Sequence, residues 1–402
     1  MNRTDDRARD WTGGVAAALP TDHADATLVG RIWDPGAGGP SVVMVRDGDA
    51  FDLSGEFATM SELCELDDPA AAVRAARGLR VGSVEALLAN SSSIDTDPDA
   101  PRLLSPIDLQ VVKAAGVTFP VSILERVIEE KAMGDPHTAD AVRRSILTAL
   151  GTGLSGLVPG SARALKLKEY LVGEGIWSAY LEVGIGPDAE IFTKAPVLST
   201  VGTATEVGIR SDSEWNNPEP EVVLVVSSTG AIVGASLGND VNLRDIEGRS
   251  ALLLGQAKDN NASAAVGPFI RLFDSAFGLE SLEQEIVSLR VDGVDGYVLE
   301  AVSPLSEISR TPRDLVGQTI GRRHQYPDGF VLYLGTMFAP TDDRGAPGQG
   351  FTHVPDDIVR ISSPSLGGLV NRVRHAEGLP GWDFGIAALM STLARRGMLR
   401  TR

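Results

Sequence analysis

The apolar pattern of the chain is densest at Glu221-Val222-Val223-Leu224-Val225-Val226, a β-branched run followed by turn residues at 227–230 and a second apolar stretch at 231–237. Short runs of this kind, bounded by turn signals, predict paired strands. Pro218 and Pro220 cannot donate to a ladder, so the first strand begins near them or lies at an edge. The same pattern predicts short strands at 26–33 and 41–46, separated by Asp34-Pro35-Gly36-Ala37-Gly38-Gly39-Pro40. A helix over 70–77 opens at Asp68-Pro69 and stops at Gly78, and Ser83 is an N-cap for another at 84–88. Residues 111–119 read as a strand leading into an amphipathic helix from Ser122. Further helices are expected from Thr138 toward Leu150, over 161–177 and over 386–398. Residues 1 to about 25 show no such pattern and are expected to be poorly ordered.

This arrangement predicts an α+β protein. Residues 1–100 form a small N-terminal α+β domain ending in a polar linker at 90–100, and residues 101–402 form a larger β-rich domain. With 43% hydrophobic and 22% charged residues, the composition is that of a globular chain. A formal net charge of -18 argues against a nucleic-acid surface, which would need Lys and Arg to neutralise phosphates. A single cysteine, Cys64, an amino terminus without the apolar core of a signal peptide, and the lack of any membrane-spanning apolar run predict a cytoplasmic protein with no membrane partner.

Candidate chemistry centres on the strand at 216–226. Glu219 and Glu221 are two residues apart, so a strand places both carboxylates on one face. Like charges so close call for a cation, and Mg²⁺ suits oxygen ligands while keeping positions open for substrate. A solvated strand face is the plain alternative. Asp240 follows in a Gly238-Asn239-Asp240 turn, and Lys258 lies in an apolar context where it needs a partner. Three carboxylates, a divalent cation and one lysine are together neutral, which makes partial burial tolerable.

This ordered set resembles the fumarylacetoacetate hydrolase superfamily. The Glu-x-Glu pair, the Asn-Asp-Val-x-x-Arg-Asp segment at 239–245 and the lysine before Gly267-Pro268 carry the resemblance, which spans about residues 105–375. It extends to Phe192-Thr193-Lys194, to Phe351-Thr352-His353 and to the segment Ile361 to Asn371. Separations of 19 residues from Glu221 to Asp240 and 18 from Asp240 to Lys258 look most like the sugar-acid dehydratase branch. The resemblance implies a mixed β-sandwich roll, Mg²⁺ (or Mn²⁺) held by Glu219, Glu221 and Asp240, Lys258 as active-site lysine, and a homodimer or homotetramer.

In the carbon–carbon hydrolases of this family a His-x-x-Glu pair activates water; here Ser122 and Glu125 occupy those positions. Serine at its usual pKa cannot replace imidazole as a base. Without the family these two residues read equally well as a helix capping box. The implied activity is therefore dehydration of a 2-keto-3-deoxy sugar acid, a pentonate giving 2,5-dioxopentanoate, with Glu125 as base and Thr118, Phe119, Ser122, Lys258 and Thr352 around the substrate. The glycine-rich loop at 342–350 is expected to be mobile and to help Thr352 bind the carboxylate. Acylpyruvate or 2,4-diketo acid hydrolysis is the alternative activity, and a non-catalytic metal-binding subunit the alternative without one.

Overall fold

In the computed structural model, residues 11–92, 96–133, 135, 137–139, 141–144, 156–173, 175, 177–338, 342–345 and 350–399 are described. In chain order the strands are Leu28–Asp34 (β1), Gly39–Arg46 (β2), Asp49–Asp52 (β3), Leu79–Ser83 (β4), Arg102–Leu104 (β5), Val111–Gly116 (β6), Glu190–Ala195 (β7), Thr205–Ile209 (β8) and Asn216–Asn217 (β9). They continue with Pro220–Val226 (β10), Ile232–Asp240 (β11), Asn242–Leu243 (β12), Ala264–Leu272 (β13), Ile286–Asp292 (β14), Val298–Pro304 (β15), Phe330–Tyr333 (β16), Ile358–Ser363 (β17) and Gly367–His375 (β18).

β10 is buried along its whole length, and its two faces serve different cores. Val222, Leu224 and Val226 pack with Val287, Leu289, Val359 and Leu369 of the smaller sheet. Val223 and Val225 face Val42, Met44 and the Met60–Cys64 helix on the other side. A strand covered on both faces reads as a continuous apolar run rather than an alternating one. The large sheet runs β4-β3-β2-β1-β13-β11-β10-β16-β6-β7, with β5 joined to β1, and the smaller runs β15-β14-β17-β18-β8. β6 pairs parallel with β16 and β8 parallel with β18; the other described strand pairs are antiparallel. The predicted mixed, β-rich α+β fold is what the chain adopts.

The N-terminal strands extend this same sheet through pairing of Leu28 and Val29 with Arg271 and Ile270 of β13. Arg31 and Asp108 are a buried ion pair, and Asp108 also accepts from the amides of Met60 and Ser61. The segment expected to be poorly ordered is built in from residue 11 onward: Trp11, Ala18 and Leu19 are buried, and Gly14–Ala18 is helical. Residues 1–10 lie outside the described residues, as do 93–95 of the expected linker and 145–150 of the helix drawn toward Leu150. The helix expected over 161–177 is Ala162–Gly173, and the tail helix is Ile386–Arg395. Asp240 ends β11 rather than sitting in a turn, because β13 continues the ladder and pairs Ala264 with Asp240.

The helix after β6 is Pro120–Lys131, which corrects the capping assignment. Proline suits the first helical turn, so the helix begins two residues before Ser122. Ser122 Oγ reaches back, accepting from the Phe119 amide at 3.2 Å and donating to the Phe119 carbonyl at 2.9 Å. Glu125 is one turn in and caps nothing. Ile123, Val127 and Ile128 bury this helix against Leu171, Leu181 and Trp215, leaving Ser122, Arg126 and Glu129 turned toward the end of β10.

Candidate active site

Pro220 of β10 pairs with Asn239 of β11 and Glu221 with Gly238, so the ends of the two strands bring Glu219, Glu221 and Asp240 together. All three are buried, and one oxygen from each lies within 4.8 Å of the other two. Gly238 makes this possible, since a Cβ there would lie 2.3 Å from the ring of Tyr333 and 2.5 Å from Val223. The Asn239 side chain accepts from the Glu219 amide at 3.1 Å, and the Gly335 amide donates to Glu221 Oε2 at 2.6 Å. The Asn239 side chain thus fixes the Glu219 backbone, and the Gly335 amide fixes the Glu221 carboxylate.

Two buried lysines share the cluster. Lys258, at the end of the Leu254–Lys258 helix, bridges Glu219 and Asp240, with its Nζ 3.2 Å from Asp240 Oδ2. Lys194 of β7 lies beneath, 2.7 Å from Asp240 Oδ1, and donates to the carbonyls of Val241 and Lys258. Burial drives Glu221 far above the usual carboxylate range, reinforced by Asp240 and Glu219. Glu219 is also raised by burial, against the pull of Lys258 and Arg126. Asp240 stays below the usual range despite its burial, because Lys194 and Lys258 both hold it.

The partly open cleft over this cluster is lined by Gly116, Ser122, Arg126, Glu190, Phe192, Glu247, Thr336 and the residues above. Five carboxylates (Glu190, Glu219, Glu221, Asp240 and Glu247) face three cations (Arg126, Lys258 and Lys194), an excess of two negative charges. A divalent cation cancels it. Oxygen-only donors on a hard-ligand set are what Mg²⁺ takes, so the residues present fit that ion. A second chamber of similar size, sharing Ser122, Arg126, Glu219 and Thr336, is bounded by Glu125, Glu129, Asn217 and Arg244.

The predicted residues divide accordingly. Glu219, Glu221, Asp240, Lys258 and Ser122 meet in the cleft. Glu125 borders the second chamber, its carboxylate gripped by both arms of Arg143 at 3.0 and 2.7 Å. The Phe119 side chain is packed in the core, and the Thr118 hydroxyl donates to the Leu334 carbonyl at 2.6 Å. Thr352 Oγ1 is held between the Asn216 amide and the Glu214 carbonyl. In the glycine-rich loop, Arg344 is anchored on Asp295 and Asp357, and residues 346–349 lie outside the described residues.

Sequence reasoning passed over Glu190 and Arg126. Glu190 stands two positions before Phe192 on β7, and that period of two was enough to place both in the cleft. Its partner across the ladder is Gly116, where a Cβ would lie 2.1 Å from the Glu190 carboxylate. Burial, then Glu247, raises Glu190 to about 7. Arg126 follows Ser122 by four residues, the spacing that stacks side chains on a helix face.

Two sheets closed over an acidic strand end, with a lysine beside it, define the fumarylacetoacetate hydrolase fold. The chain shares that fold. It is 32% identical over 185 residues to the 2-dehydro-3-deoxy-D-arabinonate dehydratase of Saccharolobus solfataricus, a match spanning 46% of this chain and 58% of that protein. Over 330 residues, 82% of this chain and 93% of the relative, it is 27% identical to a Haloferax volcanii protein named as a probable 2-keto-3-deoxyxylonate dehydratase. Among solved structures, a 2-keto-3-deoxy-D-arabinonate dehydratase complexed with magnesium and 2,5-dioxopentanoate superposes with a TM-score of 0.59 at 22% identity, covering 87% of this chain and 99% of its own. The fumarylacetoacetate hydrolase of Exiguobacterium antarcticum superposes with a TM-score of 0.50 at 15% identity, covering 87% and 100%. No protein-family model matches the chain.

Proposed function

We propose that the protein is a Mg²⁺-dependent hydro-lyase that dehydrates a 2-keto-3-deoxypentonate to 2,5-dioxopentanoate. The observation that carries this reading is the buried Glu219–Glu221–Asp240 cluster with Lys258 across it, in a chain whose relatives are named for this reaction. When bound, Mg²⁺ supplies a Lewis acid for the 2-oxo acid head. The chain's own residues supply positioning and proton movement. Lys258, buried and held charged by Asp240 and Glu219, orients the acid and balances its charge.

Elimination removes a proton from carbon 3 and delivers one to the hydroxyl leaving carbon 4. We assign the second task to Glu190: a carboxyl poised near neutrality donates a proton where an ordinary one, already ionised, cannot. A protonated Glu190 also offsets the negative charge that a substrate carboxylate adds to the neutral metal site. Glu125 is the base or holds the water that serves as one, with its carboxylate positioned by Arg143. Ser122 Oγ is committed to the helix start, which supports elimination over hydrolysis.

We further propose a homo-oligomer working in the cytoplasm. Among the described residues no helix is long and apolar enough to cross a membrane. The test of the activity is mass spectrometry of the product formed from a 2-keto-3-deoxypentonate in the presence of Mg²⁺. Loss of one water to give 2,5-dioxopentanoate is expected; no dehydration here, together with cleavage of an acylpyruvate into pyruvate and a carboxylic acid with uptake of one water, would establish the hydrolase instead.

A further inference from the structure

Both oxygens of Glu219 are already occupied by side-chain cations. Lys258 Nζ holds Oε2 and Arg126 Nη2 holds Oε1. Arg126 is also anchored independently. Its Nη1 donates to Glu129 Oε2 at 2.7 Å and to Glu247 Oε2 at 2.6 Å, on two different helices. Those glutamates are themselves fixed: Glu129 Oε1 binds Arg244, which stacks on Trp215 with its guanidinium 4.0 Å from the ring centre. One arm of the guanidinium is therefore a fixed mount, and the other rests on a carboxylate that a metal would claim.

From this arrangement we infer that Arg126 couples metal binding to recognition of the substrate carboxylate. It competes with the metal for Glu219, and when Glu219 turns to the metal it offers Nη2 to the acid. The mount on Glu129 and Glu247 keeps the guanidinium charged and in the cleft wall after that exchange. A planar guanidinium with one free arm suits a carboxylate oxygen better than a lysine does, because its donor direction is set in advance. Lys194 cannot take this part, being spent on Asp240 and two carbonyls, and Arg244 and Arg143 are turned to Glu129 and Glu125. The expected ligand class is a 2-oxo carboxylate. The inference rests on the dehydratase reading only for the tail of that acid.

The test uses the full chain and two calorimetric titrations, Mg²⁺ into the metal-free protein and pyruvate into the Mg²⁺-loaded protein. R126Q is expected to bind Mg²⁺ roughly tenfold more tightly, since the competing donor is gone, and to bind pyruvate roughly 10- to 100-fold more weakly, as for loss of a charge-assisted hydrogen bond. R126K, which retains the charge without the fork, should fall between. Unchanged or weaker Mg²⁺ binding with unchanged pyruvate binding in R126Q would reduce Arg126 to a structural tie and overturn the inference. Should R126Q not fold, R126K decides, and wild-type pyruvate affinity in that variant overturns it equally. If the wild type dehydrates no 2-keto-3-deoxy acid while Arg126 still sets pyruvate affinity, the functional reading fails and the inference stands.

Discussion

Glu190 separates two explanations of the proton chemistry at the level of single side chains. Glu125, chosen from its place in the sequence, is fastened to Arg143, whereas Glu190 shares the cleft with Glu219, Glu221 and Asp240 and has its proton held up to about 7 by burial and by Glu247. Glu190→Gln is therefore expected to lower turnover by about 10²- to 10⁴-fold, the range for removing a positioned acid or base. Steady-state kinetics with a 2-keto-3-deoxypentonate check this, and wild-type turnover would remove Glu190 from the mechanism. The same residue leaves a mark on stability. A carboxyl raised in the folded state above its ordinary 4.5 contributes stability that is complete below pH 4.5 and lost as the pH climbs through about 7. Thermal unfolding of the metal-free protein at pH 5 and pH 8 should show wild type losing more stability over that interval than Glu190→Gln. Equal losses would mean that Glu190 titrates normally.

Among the elements, the β10–β11 ladder carries the site, and Gly238 is its most constrained position. Opposite Glu221, it leaves the space that Tyr333 fills, and the Tyr333 hydroxyl donates to the Ala265 carbonyl at 2.7 Å. Gly238→Ala forces a methyl into that packing, an overpacking expected to cost about 1–3 kcal/mol. Urea unfolding measures it, and a midpoint equal to wild type would show that the ladder relaxes. Strand pairing also explains a misreading. Asn239-Asp240 has turn chemistry, but its neighbours on β13 supply ladder partners, and tertiary pairing overrides local preference. The Pro120–Lys131 helix was legible as an amphipathic stretch. Its start was not, because a serine three residues into a helix and a serine at its cap look alike until the backbone direction is known.

On the scale of the whole molecule, the uncompensated charge of the metal-free site couples ion binding to folding. A cation that binds only the folded chain should stabilise it by about 2.7 kcal/mol at a hundred times its Kd. Thermal unfolding with and without excess Mg²⁺ is expected to show that increment in wild type and its loss in Glu221→Gln, while wild-type stabilisation in the variant would exclude Glu221 as a ligand. The order of Glu219, Glu221, Asp240 and Lys258 along the chain was enough by itself to predict that their side chains cluster, because Glu219 and Glu221 stand two apart at the head of one strand and a strand's period of two needs no tertiary knowledge. The continuous apolar run of β10 likewise announced a strand, while its place in the middle of the sheet came from the pairing with β11 and β16. What only the folded chain decided was which distant charges join the cluster. Arg126 and Glu247 come from a helix before it and a short helix after it, and an ion pair between positions as far apart as 126 and 247 leaves no period in the sequence. Thr118 and Phe119 show the converse: residues next to Ser122 along the chain whose side chains the packing spends on a carbonyl and the core. Proximity along a strand is fixed by backbone geometry, whereas proximity across layers is fixed by which faces the cores bury.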